Sequence, residues 1–327
     1  MLKDGILWFR RDSRSGSKVP RLDRQMFEQL SKETTYQVDL LEKVYRLTEL
    51  LKEITSTKLK DNQVLKGGTA LNFVHLDLPR LSVDIDMDYI GSTEKDHMLD
   101  EREKIDRLSR KIFDMLDYEP ELKETYALDK YDLYYKNSVG NRDRIKLEIN
   151  YLKRSTILKP IEMNLDHIFD FEKFKVLTLK IEELFGRKLN ALVRRATPKD
   201  LYDIYRLLQS PLKYDMDLTK KCFIFSLCLD SDPRKVEYNA FEEITPHDVW
   251  TSLTPVLKKK ENVEFEEMKK EVKPVLEQMC DFSKGEKRFI RTLFDDEKYE
   301  IEILFEDYPY NESILEHPGI EWRLKNL

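Results

Sequence analysis

Cysteine is nearly absent. Cys222, Cys228 and Cys280 are the whole complement of a 327-residue chain, and no two have C-x-x-C spacing. An odd, scattered set indicates neither a disulfide framework nor a zinc site. The five histidines are dispersed as well, so a metal centre here would be built from oxygen ligands. Nine glycines leave little room for disorder. No apolar run approaches the roughly 18–20 residues a membrane span needs, and the first residues lack a signal-peptide core. A cytoplasmic protein with no membrane partner is expected. Positive charge is also in deficit: 57 Lys and Arg against 63 Asp and Glu give a net charge of −6. That argues against a general nucleic-acid coat protein but permits a local basic groove.

What is present is a charge-dense globular chain, 40% hydrophobic and 37% charged, long enough for one large domain and an appended one. Its most informative stretch is residues 64–89. There an apolar lead-in meets Gly67-Gly68-Thr69, and about fifteen residues later comes Ser82-Val83-Asp84-Ile85-Asp86-Met87-Asp88. In a strand, Val83, Ile85 and Met87 would form an apolar face and the three aspartates the opposite one. Carboxylates so placed repel unless cations are present, and two at this spacing can share divalent metal. The glycines let backbone approach a ligand closely, and a helix opening at Thr69 would aim free N–H groups at an anion. A lone D-x-D strand is commonly structural. The two elements together, with a strand before the glycines, point to phosphate and its accompanying metal.

Along the chain, residues 1–24 form a basic arm, either solvated or in contact with RNA or a partner. Apolar residues at three- and four-residue steps predict a helix over 35–56. A strand over 63–66, a helix over 69–74 and the acidic strand over 81–90 follow. Ser92, Thr93 and Glu94 offer caps for a helix to about residue 117. Extended segments are expected near 121–128, 131–138 and 143–152, with a hairpin turn at 137–141. In the third segment Glu148 shares a face with Lys146 and Asn150. It is either a surface strand residue or a third carboxylate beside Asp84 and Asp86. A short strand at 175–179 feeds a helix over 180–195, and Thr197 caps a second with Pro198 at its first position. Five basic residues and no acidic one lie between Arg187 and Lys199. Lys188 projects from a largely buried helical face and would be costly without an anionic partner, which a bound triphosphate could supply. Asp200 is explained equally well as a helix-dipole partner, whereas Asp203 lies deeper in the helix, where dipole compensation explains it less well. Residues 213–327 read as mostly helical, with helices over 218–229, 246–257 and 264–279 and then an acidic tail. No chemical motif stands out there, and the lysine run 258–260 reads as a solvated face.

This set resembles the nucleotidyltransferase superfamily with a polymerase-beta-like palm. More closely, it resembles the AbiEii (abortive infection, MenT-like) nucleotidyltransferase toxins of toxin–antitoxin systems. The resemblance is carried by Leu65-Lys66-Gly67-Gly68-Thr69-Ala70-Leu71, by Arg80-Leu81-Ser82-Val83-Asp84-Ile85-Asp86, and by the spacing of Lys188, Ala191, Arg195, Pro198, Asp200, Tyr202 and Asp203. It covers about residues 35–210. The common family form has Arg where this chain has Lys199, which keeps the charge but loses a bidentate fork.

The resemblance implies an α+β fold: a mixed sheet flanked by helices, with a helical C-terminal part. The organisation expected is a basic arm and short helix over 1–34, a core over 35–180, a helical extension over 181–212 carrying Lys188 and Asp203, and a helical remainder over 213–327. It implies attack of an acceptor hydroxyl on the α-phosphate of a nucleoside triphosphate (NTP), with pyrophosphate released. Asp84 and Asp86 would hold one or two Mg²⁺, with Mn²⁺ a substitute, and Glu148 would complete the site or act as base. Gly67, Gly68 and Thr69 would cradle the β- and γ-phosphates through backbone N–H groups and the Thr hydroxyl. Lys188 would neutralise the triphosphate, and Asp203, with Asp200, would orient Lys188 or contact base or acceptor. The implied acceptor is RNA, a tRNA 3′ end. The implied role is abortive infection or phage defence, opposed by a separately encoded antitoxin. Nucleotidylation of a protein hydroxyl and a non-catalytic nucleotide-binding module are the alternatives.

Overall fold

The computed structural model describes residues 23–169, 171–261 and 264–326, so most of the basic arm lies outside the described residues. Helix α1 (Arg24–Thr34) starts where the Asp23 carboxylate accepts the Gln25 N–H. Helix α2 (Val38–Thr55) buries Leu41, Val44, Leu47, Leu51 and Ile54, the predicted apolar stripe. Then come β1 (Gln63–Lys66), α3 (Gly67–Ala70) widening into a looser turn over Leu71–His75, and β2 (Asp84–Tyr89). Helix α4 (Lys95–Met115) leads into β3 (Glu119–Glu124), β4 (Leu128–Lys136), β5 (Arg142–Asn150), β6 (Ile161–Asn164) and β7 (Lys175–Thr178). The rest is helical: α5 (Ile181–Arg195), α6 (Pro198–Gln209), α7 (Met216–Asp230), α8 (Pro246–Asp248), α9 (Phe265–Cys280), α10 (Lys284–Phe294), α11 (Ile301–Phe305) and α12 (Pro318–Leu324).

The strands form one mixed sheet in the order β3-β4-β5-β2-β1-β7-β6. The acidic strand β2 is interior, antiparallel to β1 and parallel to β5. The α+β fold expected from the sequence is therefore present: a mixed sheet with helices around it and a helical C-terminal part. One apolar core joins the sheet to α2 and α4, and a second lies among the C-terminal helices. Helix α5 serves both, since Leu184 packs in the first and Phe185, Leu189 and Leu192 in the second. It also meets α7 backbone to backbone. A Cβ at Gly186 would stand 2.7 Å from the Phe223 nitrogen, so only glycine fits there.

Several boundaries differ from expectation. The helical turn opens at Gly67 rather than Thr69. Strand β2 begins at Asp84 rather than residue 81, because the Leu81 N–H donates to the Val256 carbonyl (3.0 Å) and so leaves the ladder. Glu94 occupies the cap position of α4 but makes no side-chain cap bond. Strand β6, not foreseen, pairs with β7 at the sheet edge. The single helix expected over 246–257 is broken into α8, a looser turn over Val249–Leu253 and a tight turn over Thr254–Val256, where Pro255 has no N–H to continue a helix. The expected acidic tail is folded: it holds α10 to α12 and buries Phe289, Leu293, Leu304, Phe305 and Ile320.

Candidate active site

The turn between β1 and α3 needs both glycines. Gly67 has φ +70°, and a side chain there would collide with the Asp86 carboxylate. At Gly68 a Cβ would lie 2.7 Å from Arg80 Nη2. The backbone at residues 67–68 is thus pressed against the acidic strand and the arginine before it. Thr69 departs from expectation. It is fully buried, and its hydroxyl donates to the Asp84 carbonyl at 2.5 Å. Its hydroxyl hydrogen pins the start of β2 instead of reaching for a ligand.

On β2, register sets Asp84 against Lys146 and Asp86 against Glu148 of β5, while Lys66 of β1 opposes Asp86. Asp84 and Asp86 are half-buried, and neither carboxylate makes an ion pair or hydrogen bond among the described residues. Burial raises the Asp86 carboxyl above its ordinary value; Glu148 and Asp84 add to the rise, and Lys66 and Lys188 do not cancel it. Glu148 is adjacent by register but is held by Lys130 at 3.0 Å. Among the described residues no three His, Cys, Asp or Glu side chains converge as a metal cage. The expected three-carboxylate ligand set is therefore not assembled by the side chains alone. The aspartate pair still suits a divalent cation, since two unpaired carboxylates share one face and Asp86 marks negative charge the protein leaves uncompensated.

Asp88, third on that face, is different in kind. It is fully buried and paired with Lys66 and Arg187, and these cations outweigh burial to hold its carboxyl well below the usual range. Arg187 also binds Glu183 at 2.6 Å, tying β2 to α5.

The downstream motif assembles as a buried ion network. Lys188 Nζ lies 2.8 Å from both Asp200 and Asp203. Asp203 receives two further bonds of 2.7 Å from Arg80 Nε and Nη2 and one of 3.2 Å from Asn72. Asp200 receives Arg195 Nε (2.6 Å) and the Thr197 hydroxyl (2.7 Å). Burial disfavours every charge here, yet the partners win: Asp200 and Asp203 titrate below, and Lys188 above, their ordinary values. Lys188 thus has its anionic partners within the fold, so a triphosphate, one expected source of such a partner, is not needed to offset its burial. The structure brings together Lys188, Asp200 and Asp203 as anticipated.

Two residues of this site escaped sequence reasoning. Arg80 is 3% exposed and joins Gly68 to Asp203. Its signal was only its place four residues before Asp84. For Lys199 the sequence offers only its departure from the common family form, which assigns it no role. Its ammonium has no ion pair or hydrogen bond among the described residues. Burial, then Arg80, lower its pKa against the pull of Asp84 and Asp203. Among the described residues it is an unpaired cation close enough to feel the charge of Asp84, whereas the triphosphate role was expected of Lys188.

A glycine turn pressed on an aspartate pair in a mixed sheet, backed by a Lys–Asp helical motif, defines the nucleotidyltransferase class. The chain belongs to the family of nucleotidyltransferase AbiEii toxins of type IV toxin–antitoxin systems, whose profile matches residues 49–296. Among solved structures it is similar to MenT4, a nucleotidyltransferase toxin from Mycobacterium tuberculosis H37Rv, with a TM-score of 0.60 at 15% identity over 94% of this chain and 99% of that one. That likeness is one of fold. JHP933 from Helicobacter pylori aligns with a TM-score of 0.46 at 19% identity, over 80% of this chain and all of the other (100%). No curated protein matches in sequence.

Proposed function

We propose that this chain transfers a nucleotide from an NTP to an RNA hydroxyl, the 3′ end of a tRNA, and that a separately encoded antitoxin opposes it. The observation that carries this reading is the unpaired Asp84–Asp86 carboxylate pair on β2, with Asp86 against the Gly67 backbone and the unpaired Lys199 close enough to feel the charge of Asp84. The acceptor oxygen attacks the α-phosphorus, the bond from that phosphorus to the bridging oxygen breaks, and pyrophosphate leaves. Glu148, the cross-strand neighbour of Asp86, is the candidate acceptor of the hydroxyl proton. A divalent cation held by Asp84 and Asp86 would offset charge developing on the attacking and leaving oxygens. Lys199 contacts the triphosphate. Lys188, already neutralised, positions Asp200 and Asp203 and holds α5 to α6.

The test is incubation with each labelled NTP, Mg²⁺ or Mn²⁺ and total tRNA. RNA should be labelled, with pyrophosphate released in equal amount, and Asp86→Ala should abolish both. Label confined to a nuclease-resistant protein band, or no label from any of the nucleotides, would sink the reading.

A further inference from the structure

Beyond the Asp88 end of β2, a cavity of about 230 Å³ opens between the segment after β5, the ends of α5 and α7, and α12. Lys153, Arg194 and Arg323 line it, against one carboxylate, Asp230. That carboxylate is already engaged, accepting from Arg194 at 2.8 Å and from Asn190 at 2.7 Å. The half-buried Lys153 ammonium makes no ion pair or hydrogen bond among the described residues. Arg323 donates Nη2 to the Leu229 carbonyl (2.7 Å), while its buried Nε has no partner. Burial, and then the charge of Arg187, lower the Lys153 pKa to about 8, so its charge is under-compensated within the fold. Buried donors are normally satisfied, and buried cations normally paired. An unpaired ammonium and an unmet guanidinium nitrogen among the residues lining one cavity, with its single carboxylate already engaged, amount to a demand for an anion.

We infer that this cavity binds the phosphate of a nucleotide. Lys153 and Arg194 take the phosphate, Leu229 walls the sugar, and Trp322, 48% exposed at the rim, offers its ring to the base. The volume is sufficient for one phosphate with its ribose. The ligand is a free mononucleotide or one unit of an RNA strand. The site stands apart from the aspartate pair and holds whether or not the catalytic reading does.

The test is equilibrium binding of adenosine and guanosine 5′-monophosphate, inorganic phosphate and a short single-stranded oligoribonucleotide to the full chain in EDTA. Nucleotide should bind more tightly than phosphate. Lys153→Met should weaken it about tenfold or more, and Lys153→Arg by less than about threefold. Trp322→Ala should weaken nucleotide but not phosphate, and a combined Asp84→Asn and Asp86→Asn variant should bind as wild type. Since Lys153→Met removes an unpaired cation, its melting temperature should equal or exceed wild type, which separates lost binding from lost folding. An oligoribonucleotide that outcompetes monophosphate identifies RNA as the source, and parity identifies free nucleotide. No binding, phosphate binding as tight as nucleotide, or binding kept in Lys153→Met but lost with the aspartates overturns the proposal.

Discussion

Asp86 and Lys199 are opposite charges with the same problem, for each is desolvated and neither side chain has a partner among the described residues. A carboxyl raised in the native state makes the metal-free chain less stable as pH climbs from the unfolded carboxyl value toward the raised one. At about pH 7, Asp86→Asn should therefore melt at or above wild type without metal while losing transfer by about 100-fold or more. Mg²⁺ or Mn²⁺ should raise the melting temperature of wild type and leave the variant where it was. A variant that still gains from metal would place the cation elsewhere. For Lys199, Lys199→Met should raise KM for NTP about tenfold with no loss of thermal stability, and Lys199→Arg should retain most activity. Lys188→Met should behave unlike it, because it strips a partner from two buried carboxylates and costs about 3 kcal/mol of stability. Equal losses of stability in both lysine variants would refute this division. Asp84 and Asp86 are legible because strand alternation puts them on one face, Lys188 because helical spacing puts it on the buried face of α5, and Asp203 through its depth in α6 and the spacing of the motif. Arg80 was not legible, since its partner is 123 residues away. Lys199 was not either, because whether a cation is paired is decided by tertiary neighbours and leaves no local pattern.

Regular elements repeat an apolar period, and those were readable: α2, the β3–β5 meander, α5 and α6 fall within a few residues of expectation. What escaped was short or held by distant contacts. Strand β6 has four residues at the sheet edge, and α10 to α12 bury apolar side chains inside a sequence dominated by acid. Between elements, the Arg80–Asp203–Lys188–Asp200 network locks α5, α6 and the segment before β2 together. Because Asp200 and Asp203 titrate below their ordinary range, the stability they contribute is full above the unfolded carboxyl value, about 4. It is lost as pH falls through their native values. Arg80→Met should cost about 3 kcal/mol at about pH 7 in urea unfolding, and the gap from wild type should narrow below about pH 4 as Asp203 protonates. A gap that stays constant with pH would mean that Arg80 acts through packing and not through charge.

At the scale of the molecule, the two apolar cores share one helix. Leu184 of α5 is buried with the sheet, and three residues of its next two turns are buried among the C-terminal helices. Helix α5 also carries Arg187 and Lys188, which reach Asp88 and the Asp200–Asp203 pair. Its contact with α7 is so close at Gly186 that a methyl group has no room beside the Phe223 nitrogen. The C-terminal helices are therefore the other wall of the helix that organises the site, whatever further role they have. A chain ending after α6 would expose Phe185, Leu189 and Leu192 to water. Each buried side chain of that size stabilises by about 2 kcal/mol, so the loss is comparable with the whole stability of a domain. The fragment over 23–212 should thus be insoluble or unfolded by circular dichroism. The full chain should unfold in a single calorimetric transition, with calorimetric and van't Hoff enthalpies in agreement. Gly186→Val should lower that one transition as a whole and reduce transfer, because pushing α7 away displaces the helix that bears Lys188. Two separable transitions, or a soluble fragment that retains the sheet, would show that the site stands without its C-terminal wall.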